Sequence, residues 1–225
     1  MNQDRIFREN EGNNWYSRNK LALDKEGKVD WPSYLLSLVD ERANIGTIVE
    51  LGCCNGYRLN KIKSCLNPGC RCVGIDASNE AIEDGKIRYA GLELYQGLLS
   101  DIPLNEEFDL VIINFVLHWV DRKTLVKSIG EIDRIAKDEG LLIIGDFLPD
   151  YQQRRRYHHL PDERVYTYKQ DYAKIFESFG TYRELARFAF DHDNNEDYFL
   201  KPTASSARGF CSILHKSIEG YYPEV

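Results

Sequence analysis

Apolar and polar positions fall into regular blocks between residues 47 and 147. Short apolar runs without polar alternation are separated by stretches with helical spacing, which is typical of strands buried on both faces of a parallel sheet. Strands are predicted at 47–51, 72–76, 92–97, 108–117 and 140–147. Helices are predicted at 58–66, 79–90 and 121–136. Right-handed crossovers through these helices would wind the strands into a Rossmann-like sheet.

The pattern changes after residue 147. Residues 148–168 are polar and aromatic, and we expect a lid-like insertion over 148–170. A predicted helix over 169–180 is followed by strands over 183–190 and 209–217, which suggest an antiparallel edge pair. We therefore expect one α/β domain over 1–225, with a mostly parallel seven-stranded sheet and helices on both faces. A helical cap is expected over residues 1–44, where Asp30 and Pro32 mark a helix start.

Composition excludes several classes of protein. The net charge of −7 disfavours a large nucleic acid partner, and the run Arg154–Arg156 is interpreted as a solvated loop. No apolar run approaches the length of a membrane span, and the start resembles no signal peptide, so a cytoplasmic location is expected. Cys65, Cys70 and Cys72 fit no usual zinc spacing, so reduced thiols and no metal site are expected.

The sequence VELGCCNGYRL at 49–59 predicts a ligand-binding turn between a strand and a helix. Glycines there let a ligand approach the backbone at the helix N-terminus. Asp76 ends the next strand about twenty residues after Gly56, where a carboxylate can accept both hydroxyls of a ribose. Glu50 would repel a pyrophosphate but suits a positively charged cofactor. S-adenosylmethionine therefore fits better than NAD.

Four ordered motifs carry a family resemblance. VELGCCNGYRL, VGIDAS, FDLVIINFVLHWV and GLLIIGDF together resemble the class I S-adenosylmethionine-dependent methyltransferases over about residues 47–147. The resemblance implies loop glycines at Gly52 and Gly56, a ribose acid at Asp76, and a methionine end at Asn114 and Phe115. The expected cofactor-binding residues are Arg18, Glu50, Gly52, Cys53, Asn55, Gly56, Asp76, Ala77, Ser78, Leu99, Asn114 and Phe115.

Two positions depart from the family pattern. Cys54 stands where the family usually has glycine, and we expect it to keep an ordinary backbone dihedral and to point away from the ligand. Leu98 replaces the acid that often contacts the adenine amino group. That contact is left open between packing by Ala77 and Leu99, backbone groups, and the side chains of Ser100 or Asp101.

A finer resemblance concerns the acceptor. The loop CNGYRL, the pair Asp121–Arg122 and the tyrosine- and histidine-rich lid look similar to bacterial methyltransferases of surface-polysaccharide pathways. That likeness implies methyl transfer to a small polar acceptor, foremost a hydroxyl of a sugar or glycan precursor.

A hydroxyl acceptor benefits from a general base, because an alcohol is a poor nucleophile. The candidate bases are His118, His158 and His159, and Asp146 can bind an acceptor hydroxyl or cap a turn. Trp15, Tyr16, Trp119, Asp146 and Tyr172 are the candidate acceptor-binding residues, although each also fits simple packing. Three other functions remain open: a cofactor-binding partner protein without catalysis, an RNA methyltransferase, and an NAD-dependent dehydrogenase.

Overall fold

The computed structural model describes residues 3–23, 29–39, 44–66, 69–193, 204–222 and 224. Before the sheet it has three helices, α1 (Gln3–Ile6), α2 (Gly12–Leu23) and α3 (Trp31–Ser37), with a π-helical turn at Phe7–Glu11 between the first two. Residues 1–2, 24–28 and 40–43 of the predicted cap lie outside the described residues. Asp30 and Pro32 do mark the start of α3, as predicted.

The central sheet has seven strands, as predicted. They are β1 (Thr47–Leu51), β2 (Arg71–Asp76), β3 (Glu93–Gln96), β4 (Phe108–Asn114), β5 (Ala136–Phe147), β8 (Tyr182–Asp191) and β9 (Arg208–Lys216). Their order across the sheet is β3-β2-β1-β4-β5-β9-β8. The pairs among β1 to β5 are parallel, whereas β9 pairs antiparallel with both β5 and β8. The predicted Rossmann-like sheet with an antiparallel edge pair is confirmed.

Helices cover both faces because both faces of the strands are apolar. Val49, Leu51 and Val111 pack into one core, and their neighbours Ile48 and Ile112 pack into the other. The first core is covered by α6 (Leu125–Ile135) and α7 (Ala173–Glu177). The second is covered by α3, α4 (Tyr57–Ser64) and α5 (Asn79–Arg88). This burial explains why the strands lack polar alternation.

The segment after β5 contains a hairpin that the sequence pattern did not predict. Strands β6 (Gln153–Arg156) and β7 (Tyr166–Lys169) pair antiparallel in a separate two-stranded sheet. Tyr157 and Val165, at the two ends of the turn that joins β6 to β7, are buried in a small core with Ile6 of α1. The hairpin is therefore anchored on the N-terminal segment rather than extended into solvent.

Strand β4 ends earlier than its apolar run suggested. Phe115 has a φ of 56°, so the extended conformation stops at Asn114, and a 3₁₀ turn follows at Leu117–Trp119. This break turns the chain across the carboxyl edge of the sheet. Among the described helices, none is long and apolar enough to cross a membrane.

Candidate active site

A cavity of about 600 Å³ follows the carboxyl edge of the parallel strands. Its Asp76 end is lined by residues at or just after the ends of β1, β2 and β3, namely Cys54, Asp76, Ala77, Leu98 and Leu99. Its His118 end is lined by residues at or just after the ends of β4, β5 and β8, namely Phe115, His118, Trp119, Phe147 and His192. Gly52 and Asn114 also line the wall. The sheet order therefore separates the two ends.

The glycine loop is fixed by its backbone. Gly52 has a φ of 76°, and its N–H donates to the Ile75 carbonyl at 2.7 Å. A Cβ at Gly52 would overlap the side chain of Val116, so this position requires glycine for space as well as for conformation.

Cys54 contradicts the ordinary backbone dihedral expected from the sequence. Its φ is 56°, in the left-handed region that favours glycine. The residue lines the cavity and belongs to a buried cluster with Tyr16 and Ala81. The loop holds this conformation while the Cys54 N–H donates to Asp76 Oδ2 at 2.8 Å. Burial raises the pKa of the Cys54 thiol, which keeps it uncharged beside the carboxylate.

Asp76 joins the loop to the cavity. Its carboxylate accepts the backbone N–H groups of Cys54 and Ser78, both at 2.8 Å. Burial raises the pKa of Asp76, although backbone donors oppose the shift. A carboxylate can accept about four hydrogen bonds, so Asp76 keeps acceptor capacity toward the cavity that it lines.

Glu50 has an internal partner rather than a place on the cavity wall. It is fully buried, and one of its carboxylate oxygens accepts a hydrogen bond from Arg58 Nη1. Arg58 Nε donates to Asp30 Oδ1 at 2.6 Å, and Arg58 itself lines the cavity. Burial raises the pKa of Glu50 to about 7, against the opposing effect of Arg58. The structure thus assigns Glu50 to holding Arg58.

Several of the expected cofactor-binding residues support the wall from behind. Those outside the lining are Arg18, Glu50, Cys53, Asn55, Gly56 and Ser78. Ser78 caps α5, since its hydroxyl accepts the Ala81 N–H at 3.1 Å. Asn55 donates to Asp84 at 2.9 Å, and Arg18 pairs with Glu11. These side chains have structural partners, which a sequence motif does not reveal.

The N-terminal segment closes over both ends of the cavity. Gln3 Nε2 donates to the carbonyls of Trp119 and Tyr166, at 2.6 and 2.7 Å. Asp4, Phe7 and Trp15 line the wall. Of these three, the sequence analysis named only Trp15 as a site residue. Tyr16 instead packs behind the glycine loop, where its hydroxyl accepts a hydrogen bond from Asn55.

His118 and Asp146 form a buried pair. Asp146 Oδ2 accepts the backbone N–H of His118 at 3.1 Å, and Asp146 Oδ1 lies 2.9 Å from His118 Nδ1. Because a carboxylate accepts, Nδ1 carries the proton and Nε2 becomes the acceptor nitrogen. Asp146 also accepts the Phe147 N–H at 2.7 Å. The same carboxylate therefore caps the turn after β5 and binds His118.

Aromatic rings surround His118. Phe115 and Phe147 lie 5.2 Å apart between ring centroids in an edge-on arrangement, and Trp119 lies 4.8 Å from the His118 ring. Lys169 Nζ lies 3.4 Å from the Phe147 centroid, and burial lowers the pKa of this lysine. Phe147 and His192 were missed in the sequence. Because β9 is antiparallel to both β5 and β8, those two strands run in the same direction. Their C-terminal ends, where Phe147 and His192 lie, are therefore at the same edge of the sheet.

Besides Tyr16 and Asp146, which lie behind the cavity wall, three predicted residues lie elsewhere. His158 and His159 are exposed in the turn between β6 and β7, with ring centroids 3.9 Å apart, and neither lines the cavity. Tyr157, the first residue of that turn, is buried against the N-terminal segment, whereas the two histidines that follow it face solvent. Tyr172 is fully buried in the core, where its hydroxyl donates to the Tyr168 carbonyl at 2.6 Å. The structure does not bring these side chains to the acceptor.

Over the part of the chain that the structure describes, no group of three histidine, cysteine or acidic side chains is arranged to hold a metal ion. Asp150, which follows Asp146 by four residues, pairs with Arg208.

Comparisons with known proteins agree with this geometry. Residues 49–144 match the family model described as "Methyltransferase domain". An uncharacterized methyltransferase of Synechocystis is 33% identical over 95 residues, covering 42% of this chain and 44% of that protein. An uncharacterized 37.1 kDa protein in transposon TN4556 of Streptomyces fradiae is 29% identical over 166 residues, covering 72% and 46%. The chain thus spans about half the length of the curated relatives that it matches.

A solved structure extends the likeness over nearly the whole fold. The 1,6-didemethyltoxoflavin-N1-methyltransferase of Burkholderia thailandensis, with bound 1,6-didemethyltoxoflavin and S-adenosylhomocysteine, superposes with a TM-score of 0.71. The match covers 95% of this chain and 88% of that one at 11% identity, so it shows the fold alone. Residues 49–144 therefore match a methyltransferase domain, and the fold is that of a methyltransferase that binds S-adenosylhomocysteine. The predicted class and cofactor are confirmed at this level.

Proposed function

We propose that this protein transfers a methyl group from S-adenosylmethionine to a hydroxyl of a small, ring-shaped polar acceptor, foremost a sugar or glycan precursor. One observation carries the proposal: Asp76 and the His118–Asp146 pair lie at the two ends of a single cavity. One site thereby offers a carboxylate that can accept hydrogen bonds from a nucleoside and a histidine that can act as a base. The expected cytoplasmic location is part of this proposal.

The residues of the Asp76 end fit the cofactor. Gly52 lines the cavity with backbone alone, and Asp76 offers carboxylate oxygens for the two ribose hydroxyls. Ala77 and Leu99 provide apolar packing for the adenine, and Asn114 lies toward the methionine end. The bound cofactor supplies a methyl group that its sulfonium has already activated, so positioning accounts for much of the rate.

The His118–Asp146 pair supplies the base. His118 Nε2 would take the proton of the acceptor hydroxyl while that oxygen displaces the methyl group from the sulfonium. The sulfur would keep the bonding electron pair, and S-adenosylhomocysteine would leave. Asp146 holds the ring orientation and stabilises the imidazolium that results. General base catalysis of this kind contributes roughly 10²–10⁴-fold. His118 lines the cavity and is held by Asp146, which lies behind the wall, and this arrangement favours catalysis over a cofactor-binding partner protein.

The aromatic lining favours an acceptor with an apolar face. A sugar ring can pack such a face on Trp119 or Phe147 while its hydroxyls reach His118. The same rings support a second candidate, a planar aromatic hydroxyl. We further assign the N-terminal helices as a cap and residues 148–170, which contain the hairpin, as a lid. Gln3 of α1 supports this assignment, because it donates to the Tyr166 carbonyl in the hairpin and to the Trp119 carbonyl beside the cavity.

Mass spectrometry of extracts after incubation with deuterated-methyl cofactor tests the proposal. Label on a sugar or glycan precursor supports it, and label on a phenolic compound selects the second candidate. The matched control is His118→Gln, which should bind the cofactor in calorimetry without labelling the acceptor.

Three outcomes would replace the proposal. Cofactor binding without any labelled product would favour a partner protein. Labelled RNA, with binding that falls steeply as salt rises, would favour an RNA methyltransferase. Binding of NADH in preference to S-adenosylmethionine would favour a dehydrogenase.

A further inference from the structure

A second imidazole lines the His118 end of the cavity. His192 follows directly after β8, is half-buried, and belongs to the same wall as His118. Its ring centroid lies 4.6 Å from that of Phe115 and 4.9 Å from that of Phe147. His118 packs on the same two rings, at 6.2 and 5.1 Å. His118 and His192 therefore both pack near the rings of Phe115 and Phe147.

The fold fixes the position of His192. Its N–H donates to the Ala207 carbonyl at 2.9 Å, which extends the pairing of β8 with β9 beyond Asp191. Phe190, two residues earlier, also lines the cavity and packs 6.2 Å from Phe115. The end of β8 thus presents alternate residues to the cavity, as the period of a strand requires.

The two imidazoles have different surroundings. His118 is buried and bound by Asp146, whose oxygens accept its backbone N–H, its ring Nδ1–H and the Phe147 N–H. His192 reaches the cavity from a different strand and is more exposed. The first arrangement suits proton removal, and the second suits binding and orienting a group at the rim.

The geometry points to His192 as an acceptor-binding residue that hydrogen-bonds a second polar group of the acceptor, while His118 faces the hydroxyl that is methylated. The acceptor class is then a ring with an apolar face, resting on Phe115 and Phe147, and at least two hydroxyls on its edge. This inference rests on the proposed function. Through this contact His192 selects which hydroxyl is turned toward His118.

Sugars and catechols share that chemistry, so the test uses both as probes. Protein labelled with ¹⁵N in its histidine rings is saturated with S-adenosylhomocysteine and titrated with methyl β-D-glucopyranoside or catechol. The chain has five histidines, which makes the spectrum assignable with His118→Gln and His192→Gln. His215, which lies beside Tyr221 outside the cavity lining, is the internal control.

The inference expects the signals of His118 and His192 to shift together with at least one probe while that of His215 stays constant. A shift of His118 alone overturns it and leaves the proposed function intact. No shift of either histidine with both probes overturns the inference and the ring-shaped acceptor class together. Failure to bind S-adenosylhomocysteine, seen by calorimetry beforehand, would instead refute the proposed function.

Turnover of the probe that binds gives a second readout. His192→Ala should raise the KM for that probe about ten-fold, as loss of a hydrogen bond predicts, with an unchanged dissociation constant for the cofactor. His192→Asn, which keeps a donor and an acceptor, should recover part of that loss. His215→Ala is the matched control. A wild-type KM in His192→Ala would contradict a role in acceptor binding.

Discussion

The Asp76 end and the His118 end of the cavity are assembled in different ways. At the Asp76 end, backbone N–H groups and one carboxylate come from turns that directly follow β1 and β2. At the His118 end, side chains arrive from three strands and from the N-terminal segment, with Phe7 packed 5.1 Å from Trp119. A shared backbone turn suits a constant cofactor. A wall of side chains from distant segments suits an acceptor that differs between proteins.

This difference also separates the energetic demands. The Asp76 end has positive φ at two loop residues, Gly52 and Cys54. The His118 end has one such residue, Phe115, and depends mainly on packing, with Phe147 in contact with His118 and Lys169. Substitutions at the two ends should therefore change different measured quantities.

The largest effect is expected at the His118 end. His118→Gln should lower kcat roughly 10²-fold or more, because the base is lost, while the cofactor dissociation constant stays within about two-fold. Steady-state kinetics and calorimetry measure the two values. His159→Gln, at the exposed hairpin tip, is the matched control and should behave as wild type. Equal kcat in His118→Gln and wild type would remove His118 from the mechanism.

The Asp76 end should respond in the opposite manner. Asp76→Ala should weaken cofactor binding by about 1–3 kcal/mol through lost charged hydrogen bonds, with kcat near normal at saturating cofactor. Calorimetric titration measures the change, and the exposed Asp162→Ala serves as control. An unchanged affinity would refute the ribose assignment and, with it, the division of the cavity into two ends.

The support behind the Asp76 end should respond to pH. Because folding raises the pKa of Glu50 to about 7, this carboxyl loses its proton at a lower pH in the unfolded chain than in the folded protein. Wild type should therefore lose stability from this group between about pH 4 and 7. Glu50→Gln should remove roughly 2 kcal/mol of that decline between pH 5 and pH 8, as measured by urea unfolding. The same pH dependence in both proteins would contradict the assignment.

The smallest effect concerns the left-handed loop position. At Cys54, glycine should be more stable than alanine by roughly 0.5–1 kcal/mol, since alanine strains a φ of 56°. At Cys53, which does not have a positive φ, the order should reverse. Thermal unfolding of Cys54→Gly, Cys54→Ala and the corresponding Cys53 pair gives the comparison. Alanine above glycine at both positions would contradict this account of the loop.

Sequence reasoning succeeded where one residue type has one physical reason to be present. The apolar runs predicted the sheet because both faces are covered, and Gly52 and Asp76 fall on the cavity wall as their spacing indicated. It failed where a partner decides the role. Glu50 faces Arg58, and Tyr172 faces the core, because residues distant in sequence fill the space around them.

The covering segments were the hardest to predict. His158 and His159 looked equivalent to His118 as candidate bases, but the hairpin anchored by Tyr157 turns them to solvent. His192 lies beyond an edge strand whose direction is known only from its pairing with β9. Local sequence patterns contain neither fact, since both depend on how strands pair over long distances.

A crystal structure of the complex with S-adenosylhomocysteine tests the central claim most directly. We predict both ribose hydroxyls within hydrogen-bonding distance of the Asp76 carboxylate, the adenine beside Leu99, and the sulfur directed toward His118. A nucleoside bound elsewhere, or a sulfur turned away from His118, would contradict the shared cavity on which the proposed reaction depends.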